Sequence, residues 1–144
     1  MKDQSYTTAI EVNNSAEEVF NCLTNIPKWW TKDFEGSNTS LNDEFVICHP
    51  GQHYSKQRVA EVIPGKKVIW LVTESELSWL ETDKNEWTGT RMIFELTRND
   101  GKTLLRFTHE GLVPGKGSYG RCSEGWAMVI KDQLFNFITV GKTI

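Results

Sequence analysis

Apolar residues return every three or four positions from Ser118 to Val140: Tyr119, Cys122, Trp126, Val129, Ile130, Leu134, Phe137 and Ile138. That spacing puts them on one face of a helix, with Glu124, Lys131, Asp132 and Asn136 off the stripe. Gly141 follows the last periodic residue, where helices commonly stop. At 1.5 Å per residue this helix is roughly 30 Å long. A face so wide and aromatic requires a large partner, and a sheet built from the preceding residues is the candidate.

The preceding pattern supplies that sheet. Tyr6 to Val12 alternates as a half-buried strand. Ser15-Ala-Glu-Glu18 reads as a capping box opening a helix that buries Ala16, Val19, Phe20 and Leu23. Pro27 interrupts that helix, and Lys28-Trp29-Trp30 predicts a short second turn. Phe34 to Leu41 reads as a loop or short edge strand, and Glu44 to His49 as a strand ending at a Pro50-Gly51 turn. Tyr54 to Ile63 is a strand closed by Pro64-Gly65. Lys67 to Thr73 is a near-continuous apolar run that predicts a strand buried on both faces. Glu74 to Glu86 reads as a long polar loop carrying Trp79 and Leu80. Trp87 to Thr97 and Lys102 to Glu110 alternate as strands around an Asn99-Asp100-Gly101 hairpin turn. A Pro/Gly loop, Leu112 to Gly117, leads into the last helix. Tight turns between successive strands imply an antiparallel meander, an α+β arrangement curled around the long helix.

Composition narrows the classes. The 144 residues suffice for a single domain, 1–144, with a real core. The net charge is −3 and there is no basic cluster, which argues against a nucleic-acid partner. No apolar run approaches the ~20 residues of a membrane span, and the first residues lack the apolar core of a signal peptide. The three cysteines sit in apolar patterns, as buried free thiols in a reducing cytosol would, so a cytoplasmic location is expected. Six tryptophans in so short a chain must line something or pack something.

Glu86-Trp87-Thr88-Gly89-Thr90, Phe107-Thr108-His109-Glu110-Gly111-Leu112 and Cys122 to Gly125-Trp126 add a further signal, with Ser15 to Phe20 and the Trp29-Trp30 pair. These stretches, in this element order, resemble the START-like (SRPBCC) superfamily, and most closely the homologues of the activator of heat-shock-protein ATPase. The resemblance covers nearly the whole chain. It implies the helix-grip, or birch-pollen-allergen, fold: a curved antiparallel sheet around a long C-terminal helix, with two short helices after the first strand. It also implies a cavity between helix and sheet. It implies no common catalytic set, since the superfamily includes lipid carriers, hormone receptors and polyketide cyclases.

Several residues invite chemistry. His49 and His53 stand four apart, but Pro50-Gly51 breaks any helix between them and a metal needs three or four converging ligands, so no metal is expected. Pro114-Gly-Lys-Gly-Ser118 lacks phosphate-loop spacing and reads as a hinge at a pocket mouth. There is no Gly-x-Ser-x-Gly nucleophile elbow, and no cofactor is expected. Cys122 lies in the first turn of the last helix, where the dipole lowers a thiol pKa; it also lies on the apolar stripe, and core packing is the expectation. His109 shares the inward parity of Leu105 and Phe107. It can act as an acid or base near neutral pH, or it can be a structural histidine holding the Gly111 to Gly117 loop. Glu110 should point outward.

The expected ligand-binding set is Trp30, Ile47, Trp70, Phe94, Phe107, His109, Tyr119, Trp126 and Ile130, with Gln133 as a further polar anchor and Trp79 and Leu80 over the mouth. The same aromatic rings can instead fill a solid core. Three functions follow. One is a cytosolic binding module for a small hydrophobic or amphipathic molecule. Another is a cyclase- or hydratase-type enzyme with His109 as acid–base. The last is a protein-binding domain related to chaperone regulation. Met128 and Phe135 lie opposite the stripe, where an exposed apolar strip would support a weak homodimer.

Overall fold

The computed structural model describes residues 4–49, 53–81 and 84–141. The expected Pro50-Gly51 turn and the His49 side chain lie outside the described residues. Among the described residues seven strands form one antiparallel sheet in the order β1-β7-β6-β5-β4-β3-β2. They are β1 (Tyr6–Val12), β2 (Phe34–Gly36), β3 (Glu44–His49), β4 (His53–Ile63), β5 (Lys67–Leu77), β6 (Arg91–Asn99) and β7 (Lys102–Glu110). Strands β2 to β7 are a meander, and β1 closes against β7 with Tyr6 opposite His109 and Val12 opposite Thr103. The hairpin between β6 and β7 turns through Asp100 and Gly101, both at positive φ, as a two-residue turn of this kind requires.

Helices α1 (Ala16–Leu23) and α2 (Ile26–Trp29) follow β1. The capping box is formed: Glu18 N–H donates to Ser15 Oγ at 3.1 Å, and Ser15 N–H to Glu18 Oε1 at 3.0 Å. Pro27 sits in the first turn of α2, where its missing N–H costs nothing, so the short helix starts earlier than the Lys28-Trp29-Trp30 reading. Trp29 Nε1–H donates to Leu23 O at 3.0 Å, which ties α2 to the end of α1 and turns both Trp29 and Trp30 into the core.

The terminal helix is continuous from Tyr119 to Val140, as its stripe predicts, but it is not uniform. It runs as α3 (Tyr119–Ala127), a π-helical segment (Met128–Leu134) and α4 (Phe135–Val140), and stops at Gly141 with φ 80°. Cys122, Trp126, Ile130, Leu134 and Ile138 recur at intervals of four, and all five are buried. In a straight α-helix each such step turns about 40° further round the axis. The wider π turn takes up that drift and keeps the five on the sheet side.

Two sequence expectations change. The strand expected over Lys67 to Thr73 continues to Leu77, inside the stretch read as a loop, because Glu74, Ser75 and Glu76 keep pairing with Lys56, Ser55 and Tyr54 of β4. The strand expected from Trp87 begins only at Arg91; Trp87 sits in a turn where Thr90 N–H donates to Trp87 O. Strand β6 pairs with β5 over Lys67–Leu71, while β4 accompanies β5 out to Leu77. The far end of β5 therefore diverges from β6, and the loop carrying Trp79 and Trp87 borders the wedge. Register shifts at Lys56/Gln57 and Val59/Glu61 mark where the β4–β5 ladder is irregular, a common device for bending a sheet.

Candidate functional site

A partly open cleft of about 130 Å³ lies in this wedge beside the first turns of α3. Four tryptophans reach it from three segments: Trp30 after α2, Trp79 and Trp87 from the β5–β6 loop, and Trp126 from α3. His53 at the start of β4, Leu77 at the end of β5, Cys122, Gly125, Met128 and Val129 complete the walls with Arg121. The Trp87 and Trp126 rings are stacked with centroids 6.1 Å apart, and Trp30 lies 4.9 Å from Trp126. Arg121 Cζ stands 4.7 Å over the Trp79 ring, so the rim carries a cation resting on an aromatic face.

Beneath Trp126 is His109, which has no exposed surface. Trp126 Nε1–H donates to His109 Nδ1 at 3.0 Å. Indole nitrogen is only a donor, so Nδ1 is the acceptor and the ring proton sits on Nε2. That Nε2–H faces Thr90 Oγ1 at 2.9 Å, and the Thr90 hydroxyl passes its own proton to Trp87 O at 2.5 Å. Burial, reinforced by the positive charge of Lys116, pushes the imidazole pKa down from 6.5 to about 3. His109 is therefore neutral near pH 7 and anchors two walls of the cleft; its side chain holds the Thr90 turn and Trp126 and makes no bond to the Gly111 to Gly117 backbone. Glu110 is only half-buried and forms a two-point ion pair with Arg91 at 2.7 and 3.0 Å.

The hinge before α3 is tied down by a distant carboxylate. Glu86 accepts from Ser118 N–H at 2.8 Å, Gly117 N–H at 3.3 Å and the Ser118 hydroxyl, and Lys116 Nζ reaches Glu86 O. Burial tends to raise the Glu86 pKa, but these bonds and Lys116 outweigh it and the net shift is downward. The acid thus sits at the positive end of the helix, a place that α3 leaves without an acidic residue in its own first turn.

Of the nine residues expected to bind a ligand, Trp30 and Trp126 line the cleft. Ile130, on the helix itself, and Ile47 are fully buried, as are Trp70, Phe94 and Phe107 beneath the helix. Their rings interlock: Trp70 to Phe94 4.7 Å, Phe94 to Phe107 4.9 Å, Phe107 to Trp126 4.4 Å. Much of the space expected along the underside of the helix is filled by those side chains, and the cleft lies toward its N-terminal end. Tyr119 is half-buried and packs on the core edge. Gln133 is committed elsewhere, with Nε2–H donating to Trp29 O at 2.6 Å. Trp79, expected over the mouth, is in the wall, and Leu80 packs close to Gly117. His53, Leu77, Trp87, Arg121, Cys122, Gly125, Met128 and Val129 are wall residues that the sequence reading missed; the unusual density of tryptophan was the available signal for Trp87. Burial raises the Cys122 thiol to about 11, with Trp87 and Ser118 working the other way, so it packs as the neutral thiol near pH 7. Among the described residues no three His, Cys, Asp or Glu side chains converge as a metal site, and no helix is long and apolar enough to cross a membrane.

Residues 13–138 match the family model described as Activator of Hsp90 ATPase homolog 1-like protein. The chain belongs to this family. The stretches by which an Activator of Hsp90 ATPase homolog 1-like chain is recognised here meet at one point. Glu86 holds Ser118, Thr90 holds His109, and His109 holds Trp126. Gly111 stands at φ 102°, and a Cβ there would lie 2.7 Å from Thr90 Cγ2, so this position excludes a side chain. Solved structures share the helix-grip fold. The Aha1 dimer of Colwellia psychrerythraea is 24% identical, with a TM-score of 0.77 over 96% of this chain and 98% of that one. An HSP90 activator from Plasmodium falciparum is 19% identical, with 0.58 over 93% of each. CalU16 from Micromonospora echinospora is 15% identical, with 0.63 over 94% and 76%. Among curated proteins nothing matches the chain.

Proposed function

We propose that this chain is a single-domain, cytoplasmic binding module for a small hydrophobic or amphipathic molecule. The ligand occupies the tryptophan-walled cleft, with its apolar body between Trp30, Trp79 and Trp126 and a polar end able to meet Arg121 at the rim. The observation behind this reading is the cleft itself: four indoles, drawn from three segments, border it in a molecule whose central rings, Trp70, Phe94 and Phe107, pack on one another. Apolar walls with a few placed polar groups are the common composition of ligand sites. The free cysteines fit a reducing compartment. Titration with a panel of apolar and amphipathic small molecules should quench tryptophan fluorescence and raise the melting temperature by mass action. A panel with no quench and no shift overturns the reading.

A second reading is a protein contact on the same face. Met128 is 53% exposed beside the cleft, and a relative of the same fold was solved as a dimer. A homodimer through the exposed helix face, or regulation of a chaperone as the family description suggests, would use that strip. Stimulation of an Hsp90-type ATPase by this chain supports the chaperone form, and no stimulation removes it. The enzyme reading with His109 as acid–base has less behind it, because both ring nitrogens are engaged and the ring has no exposed surface.

A further inference from the structure

Strand β4 carries polar side chains into the molecule. His53, Ser55 and Gln57 are successive inward positions, running from the cleft wall to the centre. Ser55 and Gln57 have no exposed surface, and Gln57 Nε2–H donates to Ser55 Oγ at 3.1 Å. The other end of the Gln57 amide, Oε1, accepts nothing among the described residues; nor does the buried Trp70 Nε1–H donate to any of them. Both lie on the same inner face. Gln57 stands opposite Val72, and Trp70 stands opposite Val59, one inward position along. Phe45, opposite Gln57 on the other side, packs its edge on Trp70 at 5.3 Å. An unsatisfied buried group is costly, so an open acceptor on β4 and an open donor one inward position along on β5 call for a group that answers both.

Trp30 separates this pair from the cleft. Its ring lies parallel to Trp70 at 6.5 Å, stands 6.3 Å from His53, and forms part of the cleft wall. The surroundings are Phe45, Val59, Val72 and Phe94, with no charge among them, which disfavours an ionised group. We infer that the cleft has a deep subsite, behind Trp30, that takes a neutral hydroxyl: Gln57 Oε1 accepts its proton and Trp70 Nε1–H donates to its oxygen. The ligand class is then a small phenol or alcohol with an apolar body, entering hydroxyl first as Trp30 swings aside. This rests on the binding-module reading and sharpens it.

Two near-isosteric probes separate the cases, 4-ethylphenol and 4-ethyltoluene. A merely apolar cleft favours the hydrocarbon, since replacing hydroxyl by methyl lowers the cost of leaving water. The subsite predicts that the phenol binds about tenfold more tightly, and that the Trp70 indole N–H, assigned through Trp70→Phe, moves downfield in the nitrogen–proton spectrum. In Gln57→Leu the phenol should lose its advantage; Gln57→Met serves if leucine does not fold. Equal binding of the two probes, or preference for the hydrocarbon with the Trp70 N–H unmoved, overturns the subsite and leaves the cleft. That outcome would mean a trapped water only. Binding of neither probe overturns both.

Discussion

The imidazole of His109 is held from both sides, by Trp126 at Nδ1 and by Thr90 at Nε2. Its folded pKa of about 3 lies well below the 6.5 of an ordinary histidine. The unfolded chain therefore binds a proton that the native chain refuses between those two values. The resulting stability is fully present above pH 6.5 and is lost as the pH falls toward 3. From linkage the loss between pH 7 and pH 5 is about 2 kcal/mol. Denaturant melts at the two pH values test this, and an unchanged midpoint contradicts it. The inward direction of His109 was legible from strand alternation alone. Its partners were not, because they come from a turn before β6 and from the last helix, and no local pattern links those residues to it. Cys122 shows the same division: its place on the stripe indicated burial, while the high thiol pKa depends on walls supplied by distant segments.

At the scale of elements, the long helix was visible in its apolar period, but its π segment was not, because steps of three and four read as one regular helix. The end of β5 escaped notice because its Glu74, Ser75 and Glu76 look like loop residues; pairing with β4 holds them in a strand. The attachment of the helix start is the least local feature. Glu86 caps it from the β5–β6 loop, across a separation that no capping signature spans. Glu86→Ala should lower stability by about 1 kcal/mol, the usual cost of a lost cap. It should also speed amide exchange at Gly117 and Ser118 while leaving the far end at Ile138 unaffected. Uniform exchange along the helix in both proteins would show that the carboxylate does not hold that end.

At the scale of the whole molecule, the resemblance implied a helix gripping a hollow, and the residues alone left hollow or filled open. The outcome is mixed. Trp70, Phe94 and Phe107 fill much of the interior, and a cleft remains where β5 parts from β6. Which of the two wins depends on where a sheet diverges, and side-chain alternation carries no measure of that. Of the expected exposed strip, Met128 is exposed and Phe135 is half-buried against the core. If the chain self-associates through that face, sedimentation velocity at rising concentration should show a weak dimer that Met128→Glu abolishes; a single monomer species throughout excludes it.

The location of binding is decided most directly by following the indole N–H resonances during titration with 4-ethyltoluene. Saturable shifts concentrated on Trp79, Trp87 and Trp126, with Trp29 still, are the predicted result. Shifts that never saturate, or that centre on Trp29, contradict a ligand site in the wedge beside α3.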